Sequence, residues 1–306
     1  MTTIKKCDRI NDRTNDAVRT AIFGAGQAGR MISAWLPADH QLICYIDNDE
    51  TLQGSEIDGV PVLPLLCALD RRPDVICIGT LNRQANTGIK NQILQAGFVG
   101  DIREALFYRG SQDARLAVIR LLAREIRERG VSGSIAELGV YRGDTAVELN
   151  RLFPERRLFL FDTFCGFDAR DLEIERRIVP DGRKASARLC DFSDTSVETV
   201  EKRLPYPEKA RLIAGYFPDS VSGGLSDEMG ELALVSLDPD LGEPVYQGLR
   251  FFYPRLAAGG CIVLHDYNSL QFPGVRRAAR RYCEENGLFV VPLMDLHGTA
   301  VFIKQG

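Results

Sequence analysis

This sequence predicts an α/β protein made of two doubly wound domains, and three observations lead there. Two stretches, TAIFGAGQAGRMISAWL and GSIAELGVYRGDTAVELNRLF, share one grammar of apolar strand, glycine-rich turn and helix. Each is followed by an apolar strand that ends in an acid, LICYIDNDE and RLFLFDTF. The 306 residues accommodate two domains of roughly 100–200 residues each. A strand buried on both faces of a parallel sheet reads as a continuous apolar run, which is how these strands read.

The first domain is expected over residues 18–110. After its glycine turn and the strand LICYI come GSEIDGVPVLPLL, the strand PDVICIG and a helix through IKNQILQAGF. The boundary is placed near residue 110. Beyond it, Leu116, Ile119, Leu122 and Ile126 recur at three- and four-residue steps, one face of a helix. Ser111 suits its N-cap, Asp113 its first turn and Gly130 its C′ position. This helix is assigned to the second domain, residues 111–306.

That domain continues with a polar helix around VETVEKRL and the strands RLIAGYF, LALVSLDPD and GGCIVLHDY. It closes with FVVPLMDLHGTAVFIK, two apolar strands around a His-Gly turn. A late hairpin after five parallel strands is unlike a dinucleotide-binding fold. It suits a class I methyltransferase sheet, whose last strand runs antiparallel. The expected fold is therefore two Rossmann-like α/β domains, the second of the methyltransferase kind. No solenoid-like repeat or low-complexity segment interrupts either.

Composition narrows the function classes. Hydrophobic residues at 45% and charged residues at 26% are the balance of a globular chain. The net charge of −4 speaks against nucleic acid and anionic membrane as partners. No apolar run approaches the roughly 20 residues of a bilayer helix. The polar start, MTTIKKCDRINDRTND, has no signal-peptide core. Cys7, Cys44, Cys67, Cys77, Cys165, Cys190, Cys261 and Cys283 are scattered without a CxxC pair, and several sit in apolar runs. Neither a disulfide framework nor a zinc site is expected, and a reduced, cytoplasmic setting follows.

In ELGVYRGDT, Gly139 lets the backbone turn sharply at a strand end, and Gly143 lets a ligand or the next helix come close. The helix N-terminus beyond offers free N–H groups to a carboxylate. S-adenosylmethionine carries an amino-acid ammonium and carboxylate. Glu137 can take the ammonium, while Arg142 and the backbone can take the carboxylate. Asp162 ends the next strand 19 residues after Gly143, the usual distance for an acid that accepts from both ribose hydroxyls. The bland alternative is a tight turn that packs helix on strand.

A wider block runs from GSIAELGVYRGDTAVEL through FDTFCGF, AGYFPDSV, VSLDPDLGEPVYQGLRFFYPRLAAGG and IVLHDY to FPGVRRA. Over residues 111–306 it resembles the macrocin O-methyltransferase family. The resemblance implies a metal-associated, S-adenosylmethionine-dependent enzyme that methylates hydroxyls of sugars and other antibiotic building blocks. It places Glu137, Gly139, Tyr141, Arg142 and Gly143 in the first cofactor motif and makes Asp162 the ribose acid. Gly215, Tyr216 and Phe217 match a turn beside the adenine, and Asp191 falls near the cofactor. Phe217 has core as its alternative.

The same resemblance pairs an Asp-x-Asp strand end with an Asp-Asp at the next strand to hold a divalent metal. Asp238 matches the first acid, while His265 and Asp266 fall 27 and 28 residues on. His265 departs from the family's acid. Magnesium prefers oxygen ligands, so the expectation widens to magnesium, manganese, zinc or no metal. Pro239 and Gly242 depart from the expected Gly and Tyr. An acceptor hydroxyl is a poor nucleophile until deprotonated, and Asp238 and His265, with Asp240 behind them, are the candidate catalytic bases. His40 reads as a surface loop residue and His297 as part of the hairpin turn.

Two further motifs carry weaker expectations. In VRRAARRYCEE, Arg276 and Arg280, and Arg277 and Arg281, form a basic helix ridge that Glu284 and Glu285 partly neutralise. In the first domain, Gly24, Gly26 and Gly29 make GxGxxG, with Asp47 a further 18 residues on. The block resembles small Rossmann-like domains attached to nucleotide-sugar-modifying enzymes, implying a nucleotide contact at Gly24, Ala25, Gly26, Asp47 and Asn48, or a scaffold. The reading is a methyltransferase whose partner is a small-molecule hydroxyl acceptor, a sugar or nucleotide sugar, with homo-oligomerisation left open. Its rivals are an NAD-dependent oxidoreductase, for which no Tyr-x-x-x-Lys pair is present, and a non-catalytic binding protein.

Overall fold

A computed structural model describes residues 17–33, 36, 40–105, 114–178, 192–295 and 298–306. Ser111, Asp113, Cys7, Cys190, Asp191 and His297 lie outside these residues. The chain divides into two compact units, Met1–Ser111 and Gln112–Gly306.

The first unit contains β1 (Val18–Phe23), α1 (Gln27–Ile32), β2 (His40–Ile46), β3 (Glu56–Ile57), β4 (Val60–Leu63), α2 (Leu65–Asp70), β5 (Val75–Ile78), α3 (Arg83–Gln95) and β6 (Asp101–Glu104). Its sheet has the order β3-β4-β2-β1-β5-β6. All neighbours are parallel except β3, which turns back against β4. Ala21, Ile22, Ile76 and Ile78 are fully buried on the central strands. A Cβ at Gly29 would lie 1.7 Å from Gly24 O, so the third glycine of GxGxxG is what lets α1 pack on the strand. His40 corrects an expectation. It opens β2, and its Nδ1 lies 2.7 Å from Thr20 Oγ1, half-buried rather than on a surface loop.

The second unit contains α4 (Ala114–Glu128), β7 (Ser134–Leu138), α5 (Asp144–Leu152), β8 (Leu158–Asp162), α6 (Ala169–Ile178), α7 (Val197–Glu201), β9 (Ala210–Ala214), α8 (Leu225–Met229), β10 (Leu232–Leu237), α9 (Gly242–Phe252), β11 (Leu256–Leu264), α10 (Pro273–Asn286), β12 (Val291–Pro292) and β13 (Ala300–Ile303). The order is β12-β13-β11-β10-β7-β8-β9. β9, β8, β7, β10 and β11 run parallel. β13 runs antiparallel to both β11 and β12, the late reversal expected of a methyltransferase sheet.

Each face of this sheet carries its own core. On one side Ile119, Ala123 and Ile126 of α4 pack with Leu149 and Phe153 beside α5. On the other, Phe161, Phe217, Phe252 and Tyr282 gather under α9 and α10. Each such side chain contributes roughly 1.5–3 kcal/mol on burial. Helix α10 begins with Pro273 at its first position and ends at Gly287 with φ +62°, the Pro-in, Gly-out asymmetry of helix termini. One carboxylate, Glu175 of α6, accepts the Gly242 N–H at 3.1 Å and the Gly274 N–H at 2.9 Å. It therefore caps the first turns of α9 and α10 together. Among the described residues no helix is long and apolar enough to cross a membrane. Cys44, Cys77 and Cys261 are buried free thiols, whereas Cys67 and Cys165 are exposed.

Candidate active site

Strand order reverses at β7, which pairs with β8 on one side and β10 on the other. At such a switch point the carboxyl ends of the strands open a crevice. Here a cavity of about 350 Å³ opens there, with Glu137, Asp162, Asp238 and His265 in its lining.

The turn after β7 is shaped by close backbone approach. Gly139 has φ +87°, and a Cβ on it would meet Asp238 O at 2.1 Å. Gly143, also left-handed at φ +81°, forms the N-cap of α5. Asp162 first serves the turn itself. Its Oδ2 accepts the Val140 and Tyr141 N–H groups at 2.7 and 2.8 Å, and its Oδ1 accepts the Phe164 N–H at 2.8 Å. Each carboxylate oxygen has two acceptor sites, so Oδ1 retains capacity for a hydroxyl.

Glu137 is buried, and its Oε1 accepts from Ser236 Oγ at 3.2 Å. Its Oε2 has no hydrogen-bond partner among the described residues. Burial, reinforced by the Asp238 charge, pushes its carboxyl well above the ordinary glutamate value. An orphaned buried acceptor at a cavity wall is what an incoming ammonium satisfies, so the residues present fit the amino-acid end of S-adenosylmethionine.

Other expected cofactor residues are placed differently. The Arg142 guanidinium pairs with Asp194, which also accepts the Tyr141 hydroxyl at 2.6 Å. Arg142 lines the cavity, but its charge is committed to Asp194 rather than held for a ligand carboxylate. The Tyr141 ring stands edge-on to Phe192 at 5.0 Å. Phe217 belongs to the core: although it borders the cavity, its ring stacks on Phe252 at 5.4 Å and meets Phe161 and Phe251 edge-on. Tyr216 donates its hydroxyl to Asp171 Oδ1 at 3.0 Å, beneath the Arg170 guanidinium 3.6 Å from the ring centre. Asp171, pushed up to about 6 by burial, was not legible as a site residue. Gly215 begins this turn with φ +135°.

The acidic strand ends converge on one imidazole. His265 Nδ1 lies 2.9 Å from Asp238 Oδ1 and 2.9 Å from Asp266 Oδ2. Asp238 Oδ2 accepts from Arg115 Nη1 at 2.7 Å. Burial alone would lower the His265 pKa, but Asp238 and Asp266 outweigh it and hold it well above the ordinary histidine value. Burial works to raise Asp238, yet His265 and Arg115 hold it below the usual carboxylate value. Asp240 is pushed well up by burial and by Asp238 and Asp266. Arg115 carried no expectation. The available signal was its position four residues before Ile119, in register with the buried stripe of α4.

One ligand atom from each of Asp238, His265 and Asp266 lies within 4.8 Å of the others. That spacing would suit a cation, but the charge and donors do not. A nitrogen between two carboxylate oxygens at hydrogen-bond distance carries a proton, not a lone pair for a metal. The outer oxygen of Asp238 already holds a guanidinium. Magnesium wants an oxygen cage. The arrangement does not fit a resident divalent metal.

The first unit's turn also closes on itself. Asp47 Oδ2 accepts the Ala25 N–H at 2.7 Å, and its Oδ1 accepts the Asp49 N–H at 2.9 Å. Asn48 and Gln92 exchange two amide hydrogen bonds at 3.0 Å. Gly24, at φ +112°, donates its N–H to Ile46 O at 2.7 Å. Only Gly26 faces open space, since a Cβ there would meet nothing within 4 Å. On α10, Arg281 pairs with Glu285 at 2.8 Å and lies over the Tyr246 ring.

Comparison with known proteins places the chain among methyltransferases. An 8-demethyl-8-(2,3-dimethoxy-alpha-L-rhamnosyl)-tetracenomycin-C 4'-O-methyltransferase of Streptomyces olivaceus is 25% identical over 201 residues, 62% of this chain and 73% of the relative. A mycinamicin III 3''-O-methyltransferase of Micromonospora griseorubida is 23% identical over 227 residues, 67% of this chain and 84% of the relative. Among solved structures, the O-methyltransferase NovP superposes with a TM-score of 0.49 at 20% identity, over 63% of this chain and 80% of that one. The family model for macrocin-O-methyltransferase (TylF) matches residues 89–305. Spanning well over half the sequence, that match makes the chain a member of the macrocin O-methyltransferase family and an S-adenosylmethionine-dependent methyltransferase.

Proposed function

We propose that this enzyme methylates a hydroxyl of a sugar or sugar-like metabolite. The observation that carries the reading is the convergence of Glu137, Asp162, Asp238 and His265 on one cavity at the strand ends. The two named relatives above, one of a rhamnosyl-tetracenomycin and one of a mycinamicin, support the acceptor class.

S-adenosylmethionine supplies a methyl group already activated on sulfonium. Glu137 receives its ammonium, and Asp162 Oδ1 receives a ribose hydroxyl. Gly139, Gly143 and Gly215 let the backbone come close, Tyr141 and Tyr216 wall the pocket, and Asp191 remains a candidate contact. The protein's remaining work is alignment and the acceptor's proton. As the acceptor oxygen bonds the methyl carbon and the carbon–sulfur bond breaks, the hydroxyl proton passes to the protein. His265, held by Asp238 and Asp266, is the base, acting from the fraction of molecules in which its imidazole is neutral, a fraction that grows with pH. The flanking carboxylates make it a stronger base than a histidine in water.

The finer expectation of magnesium, manganese or zinc at Asp238, His265 and Asp266 is not part of this reading, because the donor set does not fit. In the first unit Asp47 accepts the Ala25 and Asp49 N–H groups and Asn48 pairs with Gln92, so the scaffold reading stands beside a nucleotide contact at Gly24, Ala25, Gly26, Asp47 and Asn48. Incubation with methyl-labelled S-adenosylmethionine and a panel of free, glycosidic and nucleotide-linked sugars tests the proposal. Labelled methyl ether on a sugar is expected. Transfer only to non-sugar phenols or amines would sink the acceptor class.

A further inference from the structure

We infer that Arg115 takes the part of a divalent metal in this enzyme, supplying a fixed positive charge at Asp238 so that methyl transfer needs no bound ion. The inference rests on the methyl-transfer reading above. Three observations carry it. The guanidinium Nη1 lies 2.7 Å from Asp238 Oδ2, and both side chains are about four-fifths covered. Arg115 shares the cavity wall with Glu137 and His265. It stands at the start of α4, whose Ile119, Ala123 and Ile126 are anchored in the core.

Arginine cannot lose its charge in a protein, so this cation is present at every working pH. Held on an anchored helix, it is oriented before substrate arrives, which is how an electrostatic group contributes most to a transition state. The Asp238 carboxylate is thereby met from two sides, by the guanidinium and by the imidazole that it shares with Asp266. A dication placed against Asp238 would face a guanidinium already in contact with that carboxylate. Truncating one member of such a covered ion pair leaves the other charge uncompensated.

The test uses the full chain after dialysis against a chelator, with Arg115→Gln and Arg115→Lys beside the wild type. Manganese is titrated calorimetrically without donor or acceptor, and methyl transfer is measured with chelator, magnesium or manganese present. Wild-type activity should stay within about twofold across these conditions, with no manganese binding at micromolar concentration. Arg115→Gln should lose about 100-fold or more in rate. Its manganese affinity should rise by at least about tenfold, because the repelling charge has gone. Arg115→Lys, which keeps charge without the planar fork, should fall between. Wild-type activity lost in chelator and restored by manganese overturns the inference. So does micromolar manganese binding by the wild type, or equal affinity in wild type and Arg115→Gln. If no acceptor is found or Arg115→Gln does not fold, the wild-type manganese titration decides. Failure to bind S-adenosylhomocysteine would instead count against the underlying site.

Discussion

The chain builds a glycine-rich turn twice and uses the two differently. Gly24-x-Gly26 and Gly139-x-x-x-Gly143 each follow a buried strand, and each has an aspartate at the carboxyl end of the next strand, Asp162 as its last residue and Asp47 just beyond it. In both, that aspartate accepts backbone N–H groups of the turn, Asp47 from Ala25 and Asp162 from Val140 and Tyr141. The difference lies in the neighbours. Asp47 accepts one N–H on each oxygen, from Ala25 and Asp49, and Asn48 is locked to Gln92. Beside Asp162 stand Glu137 with an unsatisfied oxygen and the charged ends of β10 and β11. A glycine–acid spacing thus reports how a βα turn is closed. Whether it holds a ligand is decided by the strands next to it.

The largest effect expected from testing that contrast is catalytic. His265→Gln should lower the methyl-transfer rate by about 10²–10⁴-fold while leaving S-adenosylhomocysteine affinity unchanged in calorimetry. A parallel loss of affinity would mean His265 holds the cofactor instead. The next effect separates the two turns by stability. Gly139→Ala places a Cβ on Asp238 O in a left-handed backbone and should cost roughly 1–3 kcal/mol or more. Gly26→Ala meets open space and should stay within about 0.5 kcal/mol. Equal shifts in urea unfolding would erase the distinction.

Asp162→Ala should weaken S-adenosylhomocysteine binding by about tenfold or more, since charge-assisted hydrogen bonds contribute roughly 1.5–3 kcal/mol. Asp47→Ala should lower stability without touching that affinity. The smallest effect is a pH dependence. Burial raises the Glu137 pKa and so favours its protonated form, whereas a ligand ammonium prefers the carboxylate. Raising pH removes the competing proton, so affinity should climb with pH until Glu137 is ionised and then level off. Below that range, calorimetry in buffers of differing ionisation enthalpy should show proton release on binding. No release would mean that Glu137 is not the ammonium's partner.

The apolar runs and glycine turns made the parallel strands legible, because burial on both faces leaves no room for polar alternation. Two-residue strands such as Glu56–Ile57 and Val291–Pro292 are too short for any periodicity. The strand-end acids were legible because their chemistry sits next to the run that positions them. Asp171, Asp194 and Arg115 were not, since their partners Tyr216, Arg142 and Asp238 are distant in sequence. Phe217 was ambiguous because a core ring and a cofactor-facing ring look alike in sequence. His40 looked like a loop residue because nothing in PADHQL marks where β2 begins. Arg142 was read by its charge alone, and only the fold brings Asp194 beside it.

Glu175 ties the wall of the cavity into one mechanical piece. Its two oxygens hold the Gly242 and Gly274 amides, and a Cβ at Gly274 would lie 2.1 Å from Glu175 Oε2. Helices α9 and α10, which approach each other at those glycines, therefore share one acceptor with α6. A displacement of the Glu175 side chain releases both amides at once. Hydrogen exchange at Gly242 and Gly274 should then proceed through a common opening, with matched protection and matched response to denaturant. Glu175→Ala, which removes both acceptors, should accelerate both together, so the flank of the site beside Asp240 behaves as one cooperative block.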